Sequence, residues 1–209
     1  MPNPLSPALS RTLRLLRWLR RFRKRCGYGI HSPFAFSFVT GVVYETGEYY
    51  AYESLRKVFR STPAAPLRLK DVLLLFRLAN FQGAAKCLVL GPPLRSIEAE
   101  ALRKGNSHAA ATCVSSVEKL AELHTAHKGT FGFVYAAADW ERAETHLPAL
   151  LADGGMLVLH DIHANRERTA AWRRLTTLPR STVCFDLHDF GVILHRPKLQ
   201  RQKYVINYF

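Results

Sequence analysis

The sequence predicts an α/β domain on a mostly parallel, Rossmann-like sheet with an antiparallel C-terminal hairpin, and three patterns carry that reading. Four short apolar runs, at residues 87–90, 110–114, 131–136 and 156–160, alternate with segments of helical period. The runs are apolar along their length, as strands covered on both faces are. Two further runs, 182–187 and 192–195, flank His188-Asp189-Phe190-Gly191, a short connection ending in glycine that makes a tight hairpin. A chain of 209 residues, 48% hydrophobic and 22% charged, suits one such domain plus an extension. It divides into a basic amphipathic extension over 1–26, a helical cap and linker over 27–66, and the α/β domain over 67–209.

Residues 1–8 are Pro-rich. From Ser10 the period is helical, with Leu15, Trp18, Leu19, Phe22 and Cys26 on one side and Arg14, Arg17, Arg21 and Arg25 on the other. The chain holds 30 Lys+Arg against 16 Asp+Glu, a formal +14. Eight of those cations lie between Arg11 and Arg25, and no acid precedes Glu45, so the chain before Glu45 carries +8 and the remainder +6. That asymmetry points to an anionic partner, whether acidic lipid, RNA or an acidic protein, bound through Arg11 to Arg25. The other reading of the helix docks its apolar stripe on the domain and leaves its arginines in water. The two are compatible.

Ser32 before Pro33 starts a helix, because proline at the first helical position needs no N–H partner. Gly47 interrupts it, and Tyr49-Tyr50-Ala51-Tyr52-Glu53 begins another that runs to about Arg60. After a Pro-containing linker over 61–66 comes an amphipathic helix whose apolar face is Leu69, Val72, Leu73, Phe76 and Ala79. The strand at 87–90 ends at Gly91, and Ser96 caps a helix through Ile97, Ala101 and Leu102. Ser115-Ser116-Val117-Glu118 reads as a capping box for a helix to about His127. Asp139 reads as the N-cap of a helix that stops at Gly154-Gly155. A last helix covers 165–177.

Cys26, Cys87, Cys113 and Cys184 show no metal spacing, and the last three fall in apolar runs. This suits a reducing, cytoplasmic setting, with the basic helix able to bring the chain to the inner membrane surface. The uncharged stretch 26–44 holds Gly27, Gly29, His31, Ser32, Pro33 and Ser37, which argue against a membrane span. Dinucleotide, P-loop and nucleophile-elbow signatures are absent, and Asp189-Phe190-Gly191 has no kinase context.

Several phrases, in order, resemble a group of small bacterial class I S-adenosylmethionine (SAM)-dependent methyltransferases. They are Gly29-Ile30-His31-Ser32-Pro33-Phe34, Tyr49-Tyr50-Ala51-Tyr52-Glu53, Leu75-Phe76-Arg77-Leu78, the strand ending at Gly91, Asp161-Ile162-His163, Trp172, and Tyr204-Val205-Ile206-Asn207. The resemblance runs from residue 27 to the C-terminus. It implies a class I methyltransferase fold, SAM as cofactor and a small-molecule substrate, with Gly91, Pro92, Ser115 and Ala137 at the cofactor-binding positions.

The departures from that pattern are specific. Val89 stands where the first strand carries an acid, and Pro92, Pro93 and Arg95 stand where small residues let the backbone approach the cofactor. Ser115 and Ser116 follow the second strand in place of the ribose-binding acid. Ala137-Ala138 replace an Asp-Gly. Only sixteen residues separate Val114 from Phe131, too few for the helix, strand and helix of a full domain, so the sheet is expected to lack one edge strand. The uncovered edge would favour a homodimer. These losses imply degraded or lost SAM binding and a non-catalytic binding or assembly module. The alternatives are a still-active small-molecule methyltransferase, and an anionic-membrane or nucleic-acid-binding protein working through the basic helix.

At the end of the fourth strand, His160, Asp161 and His163 are the candidate catalytic residues, as a general base or as metal ligands. Catechol-type members of the superfamily hold a divalent metal near this point, and only Asp161 and Asn165 resemble that ligand set, so no metal is assigned. The alternative is that Asp161 caps or braces the sheet end. His31 with Tyr49, Tyr50 and Tyr52 forms either an aromatic lid or the packing surface of the helical cap.

Overall fold

The computed structural model describes residues 18–19, 21–62, 67–91 and 97–208. Its centre is a seven-stranded sheet: β1 Lys86–Leu90, β2 Ala110–Val114, β3 Phe131–Ala136, β4 Leu151–His160, β5 Val183–Asp186, β6 Phe190–Leu194 and β7 Gln202–Val205. The order is β2-β1-β3-β4-β6-β5-β7, with β6 antiparallel to both its neighbours and every other pairing parallel. The carboxyl ends of the six parallel strands therefore emerge along one edge, where open α/β sheets bind ligands.

Helices cover both faces. α1 Pro33–Phe38, α2 Tyr52–Arg60, α3 Leu69–Gln82 and α4 Ile97–Gly105 lie in chain order before β2. α5 Val117–Ala126, α6 Leu147–Leu150 and α7 Arg166–Leu175 follow it. One core joins α1 to α4 to the sheet through Phe38, Leu55, Phe76, Ala101, Tyr135 and Phe185. The other joins α5 to α7 to the opposite face through Leu120, Trp140, Leu150 and Trp172.

The shortened middle segment has the expected effect: α5 alone connects β2 to β3, and β2 is left as an edge strand. Cys113 is exposed there, against the reading of its run as buried. The opposite edge departs from expectation, because β7 adds a seventh strand beside β5. Its four residues are mostly half-buried and carry no apolar run, so periodicity does not reveal it.

Other boundaries also moved. β4 begins at Leu151, five residues before Met156, and its register with β3 shifts between Phe131 and Phe133. In place of a long helix after Asp139 there is a 3-10 turn, Trp140–Arg142, and the single turn of α6. Asp139 makes no side-chain cap bond and has a left-handed backbone. Ser116, rather than Ser115, caps α5 by accepting from Lys119 N. The hairpin is tighter than expected, with Asp186 opposite Gly191. Glycine is required at Gly191 because a Cβ would meet the Trp172 ring at 2.6 Å.

Ser32 caps α1 through Ala35 N, as expected. The helix continues as a π turn over Val39–Val43 and ends at Tyr44, short of Gly47. α2 starts at Tyr52 rather than Tyr49. α3 is buried well beyond its apolar stripe, with Leu74, Leu75, Leu78 and Arg77 all covered and Leu69 and Leu73 half-buried. Arg77 is tolerated there because its guanidinium donates to the carbonyls of Val42 (2.6 Å) and Val43 (3.1 Å) and to the Tyr52 hydroxyl (2.8 Å). It thereby satisfies carbonyls that the end of the π turn leaves open. Tyr49 and Tyr52 pack edge-on against Phe76 at 5.3 and 5.6 Å, and Tyr50 donates to Lys104 O. The tyrosine cluster is thus a packing surface for the helical cap. Among the described residues, no helix is long and apolar enough to cross a membrane.

Candidate functional site

The site expected from the sequence lies along the carboxyl edge of the sheet. β1 runs into Gly91, whose φ of +152° disfavours any side chain. Gly91 N donates to Val114 O (3.0 Å) and Ala137 N donates to Leu90 O (2.8 Å), so the ladder extends one residue past the strands. Gly91 and Ala137 are thereby brought together, and a Cβ on Gly91 would stand 3.1 Å from the Ala137 Cβ. Ser115 is exposed at the end of the edge strand. Pro92, with Pro93, Arg95 and Ser96, lies outside the described residues.

Val89 is buried in the core, paired with Tyr135 of β3. Beside it are two polar groups that the sequence reading missed. The Tyr135 hydroxyl and Oε2 of Glu98, at the start of α4, are buried and have no hydrogen-bond partner among the described residues. Burial, with the charges of Glu98, Asp161 and Asp71 adding to it, holds the Tyr135 phenol well above its ordinary range. No spacing rule links a residue of one strand to the first turn of a helix that precedes it by over thirty positions, so only the fold joins them.

The three candidate catalytic residues do not converge. The His160 ring packs on Phe190 at 5.2 Å and lies 3.5 Å from an Asp161 oxygen. Asp161 has a left-handed backbone, φ +55°, and donates through its N–H to Asp189 O. That backbone bond joins the sheet end to the hairpin. His163 turns elsewhere, placing Nε2 2.8 Å from Oδ2 of Asp186. Among the described residues, no group of three or more His, Cys, Asp or Glu side chains is arranged to hold a metal ion.

Asp186 is the hub. Arg21 grips it with two hydrogen bonds, 2.8 Å to Oδ1 and 3.1 Å to Oδ2, and His188 N donates to Oδ1 (2.9 Å). Burial alone would push this carboxyl up, but the bonds from His163 and Arg21 overcome it and hold it well below the usual carboxylate range. A second network adjoins it. Arg68 pairs with Asp71 (2.6 Å) and with Asp189, while His188 Nδ1 lies 2.8 Å from Asp189. Burial would raise the Asp189 carboxyl, and the bond from His188 and the charge of Arg68 pull it below the usual range.

The Arg21 clamp overturns part of the reading of the basic helix. Arg21 falls on the solvated side of the helical pattern, yet its side chain is only 16% exposed. Leu19 and Phe22, from the supposed docking stripe, are 54% and 50% exposed. In the described part of this segment, Trp18 and Leu19 are helical and Phe22–Lys24 forms a 3-10 turn. Asn207 holds it from below, with its N–H to Lys24 O (2.9 Å) and its Nδ2 to Trp18 O (3.3 Å). A buried carboxylate demands a charged donor, and that demand outweighs the apolar stripe. Most of the residues between Arg11 and Arg20 lie outside the described residues.

No protein-family model matches the chain, and no curated protein does either. Among solved structures, a methyltransferase from Podospora anserina bound to S-adenosylhomocysteine (SAH) aligns with 94% of this chain and 98% of its own, with a TM-score of 0.54 at 12% identity. A candidate caffeoyl-CoA O-methyltransferase from Staphylococcus aureus aligns over 71% and 93% with a TM-score of 0.51, also at 12% identity. The chain has the Rossmann-like α/β fold shared with these methyltransferases, with one helix joining β2 to β3 and β7 closing the far edge of its seven-stranded sheet.

Proposed function

We propose that this chain is a methyltransferase-like protein that serves as a non-catalytic binding or assembly module. The observation that carries this reading is the Arg21–Asp186–His163 clamp, which ties the N-terminal segment across the carboxyl edge. The space left beside it, between Arg21, His163, Thr169 and His188, is about 190 Å³. Among the described residues, three positions depart from what SAM needs in the family that the chain resembles. The first strand offers a buried valine where the ligand's amino group needs an acid, Ser115 offers one exposed hydroxyl to a ribose diol, and among the described residues no strand lies beyond β2 to wall an adenine.

Titration calorimetry with SAM and SAH tests this. No heat of binding is expected at micromolar concentrations. Micromolar binding by the wild type that is lost in a folded Gly91→Arg variant, its fold checked by circular dichroism, would sink the reading. The second reading, a still-active small-molecule methyltransferase, draws on the Glu98 and Tyr135 oxygens beside Val89, which lack a hydrogen-bond partner among the described residues. Binding that weakens in Glu98→Gln would favour it.

The partner that suits such a module is an acidic lipid surface. Arg23, Lys24 and Arg25 are exposed beside exposed Leu19, Phe22 and Tyr28, and Arg21 is neutralised by Asp186. Cations flanking outward apolar side chains match an interface that is anionic at its surface and oily beneath. Sedimentation with phosphatidylserine-containing vesicles is expected to depend on both Arg23/Lys24 and Phe22/Tyr28. Binding to RNA that ignores Phe22 and Tyr28 would refute the lipid assignment.

A further inference from the structure

We propose that the pocket beneath the N-terminal segment binds a small aromatic carboxylate that carries an amine or hydroxyl donor. The pocket holds about 320 Å³ and is walled by Trp18, Arg25, Tyr44, Lys70, Asn207 and Tyr208. It lies apart from the crevice over Gly91, so it stands whether or not that crevice takes SAM.

Three features of the lining select the ligand. The first is charge. Lys70, Arg25 and Arg77 face a single acid, Glu45. Arg77 is spent on the Val42 and Val43 carbonyls and the Tyr52 hydroxyl, and Arg25 leans over the Phe22 ring. Among the described residues no carboxylate lies in salt-bridge reach of Lys70, whose Nζ sits 4.4 Å above the Tyr208 ring. Burial and the charge of Arg68 push this ammonium down to about 8, while Asp71 and Asp189 act in the opposite sense. A half-buried cation with no carboxylate in salt-bridge reach among the described residues attracts an anion. The second feature is shape, because Trp18, Tyr44 and Tyr208 present ring surfaces to whatever enters, and Tyr44 and Tyr208 already meet edge to face at 6.1 Å.

The third feature is an acceptor in need of a donor. Asn207 is 4% exposed, its Nδ2 is engaged with Trp18 O, and its Oδ1 has no partner among the described residues. A buried amide oxygen left bare is costly, and a ligand N–H or O–H removes that cost. A carboxylate on Lys70, a ring among the aromatics and a donor on Asn207 Oδ1 satisfy all three at once.

The test uses the full chain, Trp18 fluorescence backed by calorimetry, and aminobenzoate, benzoate and aminobenzamide as probes. Aminobenzoate is expected to bind about tenfold more tightly than the neutral amide, the discrimination of a charge-assisted contact. Its affinity should fall severalfold as pH rises through about 8, because Lys70 then loses its charge. Lys70→Arg should bind with a flat profile over that range, and Lys70→Met should lose the preference for the acid. Asn207→Leu should bind benzoate and aminobenzoate equally. No binding by the wild type, equal binding of acid and amide, or an acid preference that survives Lys70→Met would overturn the assignment.

Discussion

Replacing Arg21 by methionine tests the clamp on which the functional reading rests. The side chains of Arg21 and Asp186 are 16% and 12% exposed, and two short hydrogen bonds join them. Breaking a buried pair by removing one partner costs about 3–5 kcal/mol, because the other charge stays buried and unpaired. Here His163 and His188 N still hold Asp186, so the expected loss is smaller, about 2–3 kcal/mol. For a chain of this size that lowers Tm by roughly 5–10 °C. Urea unfolding near neutral pH, read by circular dichroism, measures it.

The pH dependence supplies an independent check. The folded-state carboxyl of Asp186 is depressed, so its contribution is full above the unfolded carboxylate value, near pH 4, and is lost as pH falls toward the depressed folded value. The gap between wild type and Arg21→Met should therefore be widest above about pH 4 and narrow in acid. A loss under about 0.5 kcal/mol, the range of ordinary surface substitutions, would mean that the clamp does not hold the segment in solution. A gap that stays constant into acid would refute the role given to Asp186.

Three further outcomes follow from the packing. Arg77→Met should cost about 3 kcal/mol or more in urea unfolding, since it strips buried carbonyls at Val42 and Val43 of their donors. Gly191→Ala should cost about 1–3 kcal/mol by overpacking against the Trp172 ring, and Gly191→Ala with Trp172→Leu should recover part of the Gly191 effect in a double-mutant cycle. Burial pushes the thiols of Cys87 and Cys184 up to about 11 and about 12, so alkylation of the folded protein, followed by mass spectrometry, should mark exposed Cys26 and Cys113 first. Equal labelling of all four would show that the core opens readily.

The sequence by itself determined the elements with strong local signals. β1, β2 and β3 fall where continuous apolar runs predict them, to within a residue. The Ser32-Pro33 start and the Asn165 cap are equally local, because a side chain bonding a backbone N–H three residues on needs nothing beyond its own segment. The short spacing from Val114 to Phe131 likewise made β2 an edge, since sixteen residues have room for one helix and its turns.

Only the tertiary structure decided the rest. β7 exists because β5 offers it an open edge, and four mixed residues carry no period of their own. Arg21 turned inward because a buried carboxylate 165 positions away needed a charged donor. His163 parted from His160 and Asp161 for the same carboxylate. Glu98 meets Tyr135, and Lys70 meets Asn207 and Trp18, through pairings of strands and helices far apart in the chain. Local pattern reports what a segment prefers against water. Which polar groups share a buried site depends on the desolvation that distant segments impose on one another, and that exists only once the chain is folded.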